Sequence, residues 1–250
     1  METEDYYQKG MYLKKASKER DLFYNYIVNT VCGDLVGGHK NILDAGCGDG
    51  SLSKKIKDET GAKVYGCDIS KKGLELARKK GILTKVCDLD KRFPYRANSF
   101  DLLFSNQVIE HVLSPDHYLS ECYRVLKNGG KLILTTPNLV AWYNRVLFLF
   151  GIYPIFLEAS MRDKRVGTKF MKKFAATKQG VGHIRVLTAE VLKDLLKLNN
   201  FKIIRITSLK RNLFGDLPKQ MRMVYKFIDG IFSKSTELGS DTLVVAKKAK

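Results

Sequence analysis

The chain lacks any cysteine pair at disulfide or zinc-ligand spacing. Its five cysteines, Cys32, Cys47, Cys67, Cys87 and Cys122, are scattered and never form a C-x-x-C unit. That excludes a disulfide-built scaffold, makes a metal unexpected, and suits reduced thiols in a cytoplasmic setting. A long apolar run is missing as well. A bilayer span needs about 20 consecutive apolar residues, and the longest stretch, Val146 to Leu157, is shorter and holds Gly151 and Pro154. The opening METEDYYQKG has no basic start followed by an apolar core, so a secretory leader is not expected. Internal repeats and low-complexity linkers are absent. Acidic residues are scarce: 26 Asp and Glu stand against 44 Lys and Arg, a formal charge of +18. That excess either draws the protein toward something anionic (nucleic acid, a lipid surface, an acidic substrate) or reflects a lysine-rich composition, and it carries no information about fold.

What is present suits one α/β domain with an insertion: 250 residues, 44% of them apolar. Residues 1–39 read as an N-terminal helical segment. Within it Leu22, Phe23, Tyr26, Ile27, Val31 and Leu35 fall at helical spacing, and Gly37-Gly38 stops the helix. A rhythm begins at residue 40. Strands at Asn41–Asp44, Ala62–Cys67, Ile82–Cys87, Phe100–Ser105 and Lys131–Thr136 alternate with helices at Ser51–Glu59, Lys71–Lys80 and Asp116–Leu126. Such alternation predicts a doubly wound, Rossmann-like parallel sheet with helices on both faces. After Pro137-Asn138 the rhythm breaks, and residues 139–182 form an insertion. It resumes with a helix over Thr188–Asn199 capped by Thr188, a strand at Phe201–Thr207, an irregular or partly helical stretch over 208–239, and a last strand at Thr242–Ala246.

The strongest local signal is LDAGCGDG at residues 43–50. Gly46, Gly48 and Gly50 lie directly between a strand and a helix, where glycine permits a tight turn and close approach of a ligand to the backbone. Asp68 ends the next strand about twenty residues on, where a ribose hydroxyl is held in nucleotide sites. A dinucleotide site wants its third glycine at position 51, which is Ser51. Asp44 and Asp49 also add negative charge to the turn, which suits a phosphate-free ligand carrying a positive sulfonium better than a pyrophosphate.

With its strand, D-x-G-C-G-x-G resembles motif I of class I S-adenosylmethionine (SAM)-dependent methyltransferases. FDLLFSNQVIEHV and VLKNGGKLILTTPN resemble the segments around that family's fourth and fifth strands, and GHIRVLTAEVLKDLLKLNNFKIIRI is similar to the C-terminal half of small-molecule members such as the ubiquinone-biosynthesis O-methyltransferases. The likeness is strong over about residues 40–138 and returns over 182–207. It implies a methyltransferase domain over 40–250 with a seven-stranded, mostly parallel sheet whose last strand is reversed, SAM as cofactor and S-adenosylhomocysteine as product. By that likeness Asp44, Gly46, Cys47, Gly48 and Gly50 cradle the amino-acid part of SAM. Asp68, with Ile69 beside it, takes the ribose hydroxyls, Asp88 and Leu89 meet the adenine, and Asn106 and Gln107 line the pocket.

Methyl transfer mainly requires alignment of nucleophile, methyl and sulfur, and a base only where the acceptor is a hydroxyl or similar group. His111 reads either as that base or as a residue packing the next helix. His183 reads either as a substrate contact or as local scaffolding. The insertion opens with aromatics (Trp142, Tyr143, Phe148, Phe150, Tyr153, Phe156) and continues with cations from Arg162 to Lys178. It reads as a substrate lid, as a dock for anionic membrane admitting a lipid-linked acceptor, or as an RNA-holding patch. The family's nucleic-acid amino-methylating members carry an N-P-P-Y-like tetrapeptide where this chain reads SNQVIEH, so nucleic acid is disfavoured. The expectation is an O- or N-methyltransferase acting on a small or lipid-linked acceptor, cytoplasmic and peripheral to membrane at most; the alternatives are an RNA methyltransferase or a non-catalytic SAM-fold protein that binds a partner through its basic face.

Overall fold

The structure, a computed structural model, describes residues 18–34, 40–174, 180–211 and 219–249. Residues 1–17, Leu35 with the Gly37-Gly38 helix stop, and the cation Lys178 lie outside them. The chain runs α1 (Lys18–Asp34), β1 (Asn41–Ala45), α2 (Ser51–Thr60), β2 (Lys63–Asp68), α3 (Lys71–Lys79), β3 (Leu83–Val86), β4 (Phe100–Asn106), α4 (Pro115–Val125), β5 (Leu126–Pro137), α5 (Trp142–Leu149), a 3₁₀ turn (Lys169–Phe174), α6 (Ala189–Leu198), β6 (Phe201–Leu209), α7 (Lys219–Phe232) and β7 (Asp241–Lys248). All seven strands join one sheet in the order β3-β2-β1-β4-β5-β7-β6. Strands β1 to β5 pair in parallel, and β7 runs antiparallel to both β5 and β6. This is the Rossmann-like sheet with a reversed last strand that the sequence implied.

Alternation along the strands splits the core between the two faces. Ile42, Leu102, Phe104 and Ile133 pack with Ile27 and Val31 of α1, Leu52 and Ile56 of α2, and Ala77 of α3. Their neighbours Leu43, Leu103, Leu132 and Leu134 pack with Tyr118 and Cys122 of α4 and Leu192 and Leu196 of α6. The helix starts follow local chemistry. Ser114 caps α4 ahead of Pro115 and Thr188 caps α6, each side chain accepting a backbone N–H.

One boundary differs from the sequence reading. Strand β5 begins at Leu126 instead of after Gly129-Gly130: Leu126 already pairs with Phe100, and the register shifts before Leu102 meets Lys131. The glycine turn is thus absorbed as an irregularity within the strand. The stretch expected to be irregular or partly helical is partly helical, containing the 14-residue helix α7. Strand order reverses direction between β1 and β4, where a doubly wound sheet opens a crevice at its carboxyl ends.

Candidate active site

The glycine turn lies at that crevice. Gly46 and Cys47 both donate their N–H to the Cys67 carbonyl, at 2.8 and 3.0 Å, tying the turn to the end of β2. Gly46 and Gly50 hold left-handed φ angles of 82° and 71°. A Cβ at Gly46 would lie 2.4 Å from Val108, and one at Gly50 would lie 2.7 Å from Ala77, so both positions require glycine twice over. The Cys47 thiol is buried, and a Cβ on Gly66 would come within 2.7 Å of its sulfur. What this residue offers a ligand is therefore backbone, not thiol.

Asp68 receives the Gly48 N–H at 2.8 Å on one oxygen and the Ser70 N–H at 2.8 Å on the other. Each carboxylate oxygen still has acceptor capacity for a ribose hydroxyl. Burial raises this carboxyl above its ordinary value, opposed by those backbone N–H groups. Asp44 sits beneath the turn, buried, with the Ser53 hydroxyl donating to it. Burial pushes its pKa up to about 8, and Asp68 and Asp49 add to the rise. Asp49 is paired with Lys80 at 2.8 Å and accepts from Ser51; burial alone would raise it, but these partners hold it below its ordinary value. This corrects the sequence argument from charge. Lys80 compensates Asp49 and Asp44 favours its proton, so the turn presents less negative charge than its two aspartates suggested.

Asp88 follows β3, capping Asp90 N–H at 3.1 Å and pairing with Lys91 at 3.2 Å. Leu89 packs half-buried on the core beside it. Asn106 ends β4 and accepts from Thr135 at 2.7 Å. Gln107 takes a left-handed φ of 58° and donates to Asp241 at 3.1 Å. Half-buried Ile69 completes the row along neighbouring strand ends.

The turn after β4 continues through Val108, which touches the glycine loop, to Glu110 and His111. His183, distant in sequence, joins them: its ring lies 4.8 Å from that of His111, centroid to centroid. The Nδ1 of His111 meets the Gly182 carbonyl at 3.0 Å, and that of His183 meets the Phe156 carbonyl at 2.7 Å. Burial lowers both imidazoles to about 4, so both are neutral near pH 7. Glu110 is fully buried, its pKa pushed up to about 8 by desolvation, and accepts from the Thr136 hydroxyl at 3.0 Å. One donor atom from each of Glu110, His111 and His183 falls within 4.8 Å of the others, a set able to hold a cation.

Sequence reading missed the polar wall opposite. Arg211 forks onto the buried Asp241 through Nε at 2.8 Å and Nη2 at 2.7 Å, and also donates to Gln107. Its guanidinium lies 4.7 Å from the centre of the Phe156 ring. No motif marks this pair: Arg211 follows β6 and Asp241 opens β7, and only the sheet order brings them to Gln107.

Comparison with known proteins agrees with this geometry. Residues 43–134, from β1 through most of β5, match the family model described as a methyltransferase domain. Fold, glycine cradle and this match over residues 43–134 agree with the SAM-dependent methyltransferase domain that the sequence resemblance implied. In particular, the chain is 29% identical over 192 residues to the mitochondrial ubiquinone biosynthesis O-methyltransferase of Mus musculus, covering 73% of this chain and 46% of that protein. It is 33% identical over 141 residues to the ubiquinone biosynthesis O-methyltransferase of Hahella chejuensis, covering 54% and 56%. The chain spans about half the length of the curated relatives it matches. Among solved structures, a chain of the complex between the Haloferax volcanii Trm112 methyltransferase activator and a putative methyltransferase shares the fold, with a TM-score of 0.62 and 15% identity over 100% of this chain and 98% of that one.

Proposed function

We propose that the chain transfers the methyl group of SAM to an oxygen, or a nitrogen, of a small or lipid-linked acceptor. The observation that carries this reading is the continuity of the glycine loop with the turn after β4. The glycine cradle touches Val108, and one turn later the same loop delivers Glu110 and His111 to His183 beneath the insertion. Backbone of Gly46 to Gly50 receives the amino-acid part of SAM, Asp68 the ribose hydroxyls, Asp88 and Leu89 the adenine, and Asn106 and Gln107 the wall toward the methyl. In the transfer, an acceptor lone pair forms the new bond to the methyl carbon while the S–CH₃ pair returns to sulfur. The acceptor proton leaves toward His111 or His183, or to water.

The insertion supplies the acceptor side. Its C-terminal end is fixed: Glu158, midway along it, accepts from Val181 at 2.8 Å and from Gly182 at 2.8 Å. A lipid-linked acceptor fits the surface above. Trp142 of α5 lies 5.7 Å from Tyr225 and 6.0 Å from Phe232 of α7, ring to ring. Around this stack Phe148, Leu149 and Phe150 join Met223, Val224, Phe227 and Ile231 as exposed apolar groups, with Leu149 85% exposed. Arg145 lies on α5 and Lys226 on α7, with Lys234 just past the end of α7. An apolar face with basic neighbours suits peripheral contact with an anionic membrane. No helix among the described residues is long and apolar enough to cross one. The test is conversion of SAM to S-adenosylhomocysteine with quinone-precursor and lipid extracts as acceptor source. Extract-dependent turnover supports the reading, and none with any extract overturns it.

A further inference from the structure

Gln107 holds a conformation that its own chemistry does not favour. Its φ of 58° is left-handed, a region costly for a residue with a Cβ. Such strain persists where the surroundings impose it. Here they do so at both ends of the side chain. Its Oε1 accepts from Arg211 Nη2, and its Nε2 donates to Asp241 at 3.1 Å and to Thr135 at 3.4 Å. Its backbone N–H donates to the Thr135 carbonyl at 3.0 Å. Asp241 is wholly buried, and Arg211 forks onto both of its oxygens. A buried pair of this kind adds little net stability over an apolar alternative, so what it contributes is geometry.

Arg211 is fixed in turn by elements outside the glycine loop. Its guanidinium lies 4.7 Å from the centre of the Phe156 ring in the insertion and 5.7 Å from that of Phe23 in α1. Its carbonyl accepts from the Tyr225 hydroxyl of α7 at 3.0 Å. We infer that Arg211 is a positioning residue for the cofactor: with Asp241 it clamps Gln107 in the left-handed turn after β4, and that turn braces the glycine loop. Gln107 leads into Val108, whose Cγ2 lies only 2.4 Å from where a Cβ at Gly46 would stand. In a close-packed site a shift of the turn reaches the cradle directly. The guanidinium is needed for its planar fork, which a lysine ammonium does not reproduce. The insertion, α1 and α7, seated against Arg211, thus complete the cofactor site from outside it. This role rests on the methyl-transfer reading, in which SAM occupies the cradle.

The test is calorimetric titration of the full chain with S-adenosylhomocysteine, in the parent and in a Gln107→Gly background, because glycine holds a left-handed turn without a clamp. In the parent, Arg211→Lys and Asp241→Asn each weaken binding about tenfold. Should Asp241→Asn not fold, Arg211→Lys, at a side chain 27% exposed, carries the test alone. Gln107→Gly by itself stays within about threefold of the parent, and in that background Arg211→Lys costs less than about twofold, the coupling that a direct clamp requires. Affinity unchanged by Arg211→Lys in the parent, or lowered equally in both backgrounds, overturns the positioning role and leaves the methyl-transfer reading standing. A parent that binds neither SAM nor S-adenosylhomocysteine overturns both.

Discussion

The two halves of the crevice are built by different means. On the cofactor side, between β1, β2 and β3, one short loop does most of the positioning, and its contacts run through backbone: Gly46 and Cys47 to Cys67, Gly48 to Asp68. On the acceptor side, between β4, β5 and β7, side chains from five separate segments converge. Glu110 and His111 follow β4, Thr136 lies in β5, Phe156 and His183 come from the insertion, Arg211 follows β6 and Asp241 opens β7. The first side is a cradle tied down by backbone, as the proposed cofactor role requires. The second buries ionisable groups against one another, a construction in which each substitution can redefine the occupant.

Predictions sharpen or break that contrast. The largest effect belongs to the cofactor side: Asp68→Ala removes the acceptor for two hydroxyls and lowers SAM affinity by about two to three orders of magnitude, measured by calorimetry. An unchanged affinity would overturn the site assignment. On the acceptor side, His111→Ala and His183→Ala cut turnover about tenfold to a hundredfold while leaving S-adenosylhomocysteine affinity within about twofold, the expected signature of two separable halves. Loss of cofactor binding in both would merge the halves into one unit.

A smaller effect is expected at the outer surface. The double variant Leu149→Ser and Phe227→Ser weakens sedimentation with anionic vesicles by about fivefold to tenfold, from lost apolar contact, and leaves cofactor binding alone. Equal sedimentation of variant and parent would remove the membrane from the acceptor side. The smallest effect concerns the cradle's foundation. In the unfolded chain Asp44 ionises near its ordinary 3.8, whereas the folded carboxyl keeps its proton up to about 8. Its contribution to stability is therefore complete below about 4 and is lost as pH rises toward about 8. Asp44→Asn flattens that decline by on the order of 1 kcal/mol, read from urea unfolding at pH 5 and pH 8. A slope unchanged by the substitution would show that the carboxyl is ionised in the fold.

The same contrast explains what the sequence made legible. The glycine turn, Asp68 and the strand–helix alternation are local, because a strand end, a tight turn and a helix start must be consecutive in the chain. The reversed last strand and SAM came from family resemblance, not from periodicity. Arg211 and Asp241 were invisible because neither carries a motif and their meeting depends on β7 inserting between β5 and β6. His111 and His183 were both singled out, yet their contact across the return of the insertion required the fold. Helix α7 lies in a stretch read as irregular or partly helical, although Val224, Phe227 and Ile231 recur along it at helical spacing.

The most direct test of the central claim is calorimetric titration of the purified chain with SAM and S-adenosylhomocysteine, with NAD as control. Micromolar binding of both sulfur nucleosides, no binding of NAD, and loss of binding in Asp68→Ala are the results expected from this cradle. Binding of NAD, or binding of none of the three, would contradict it.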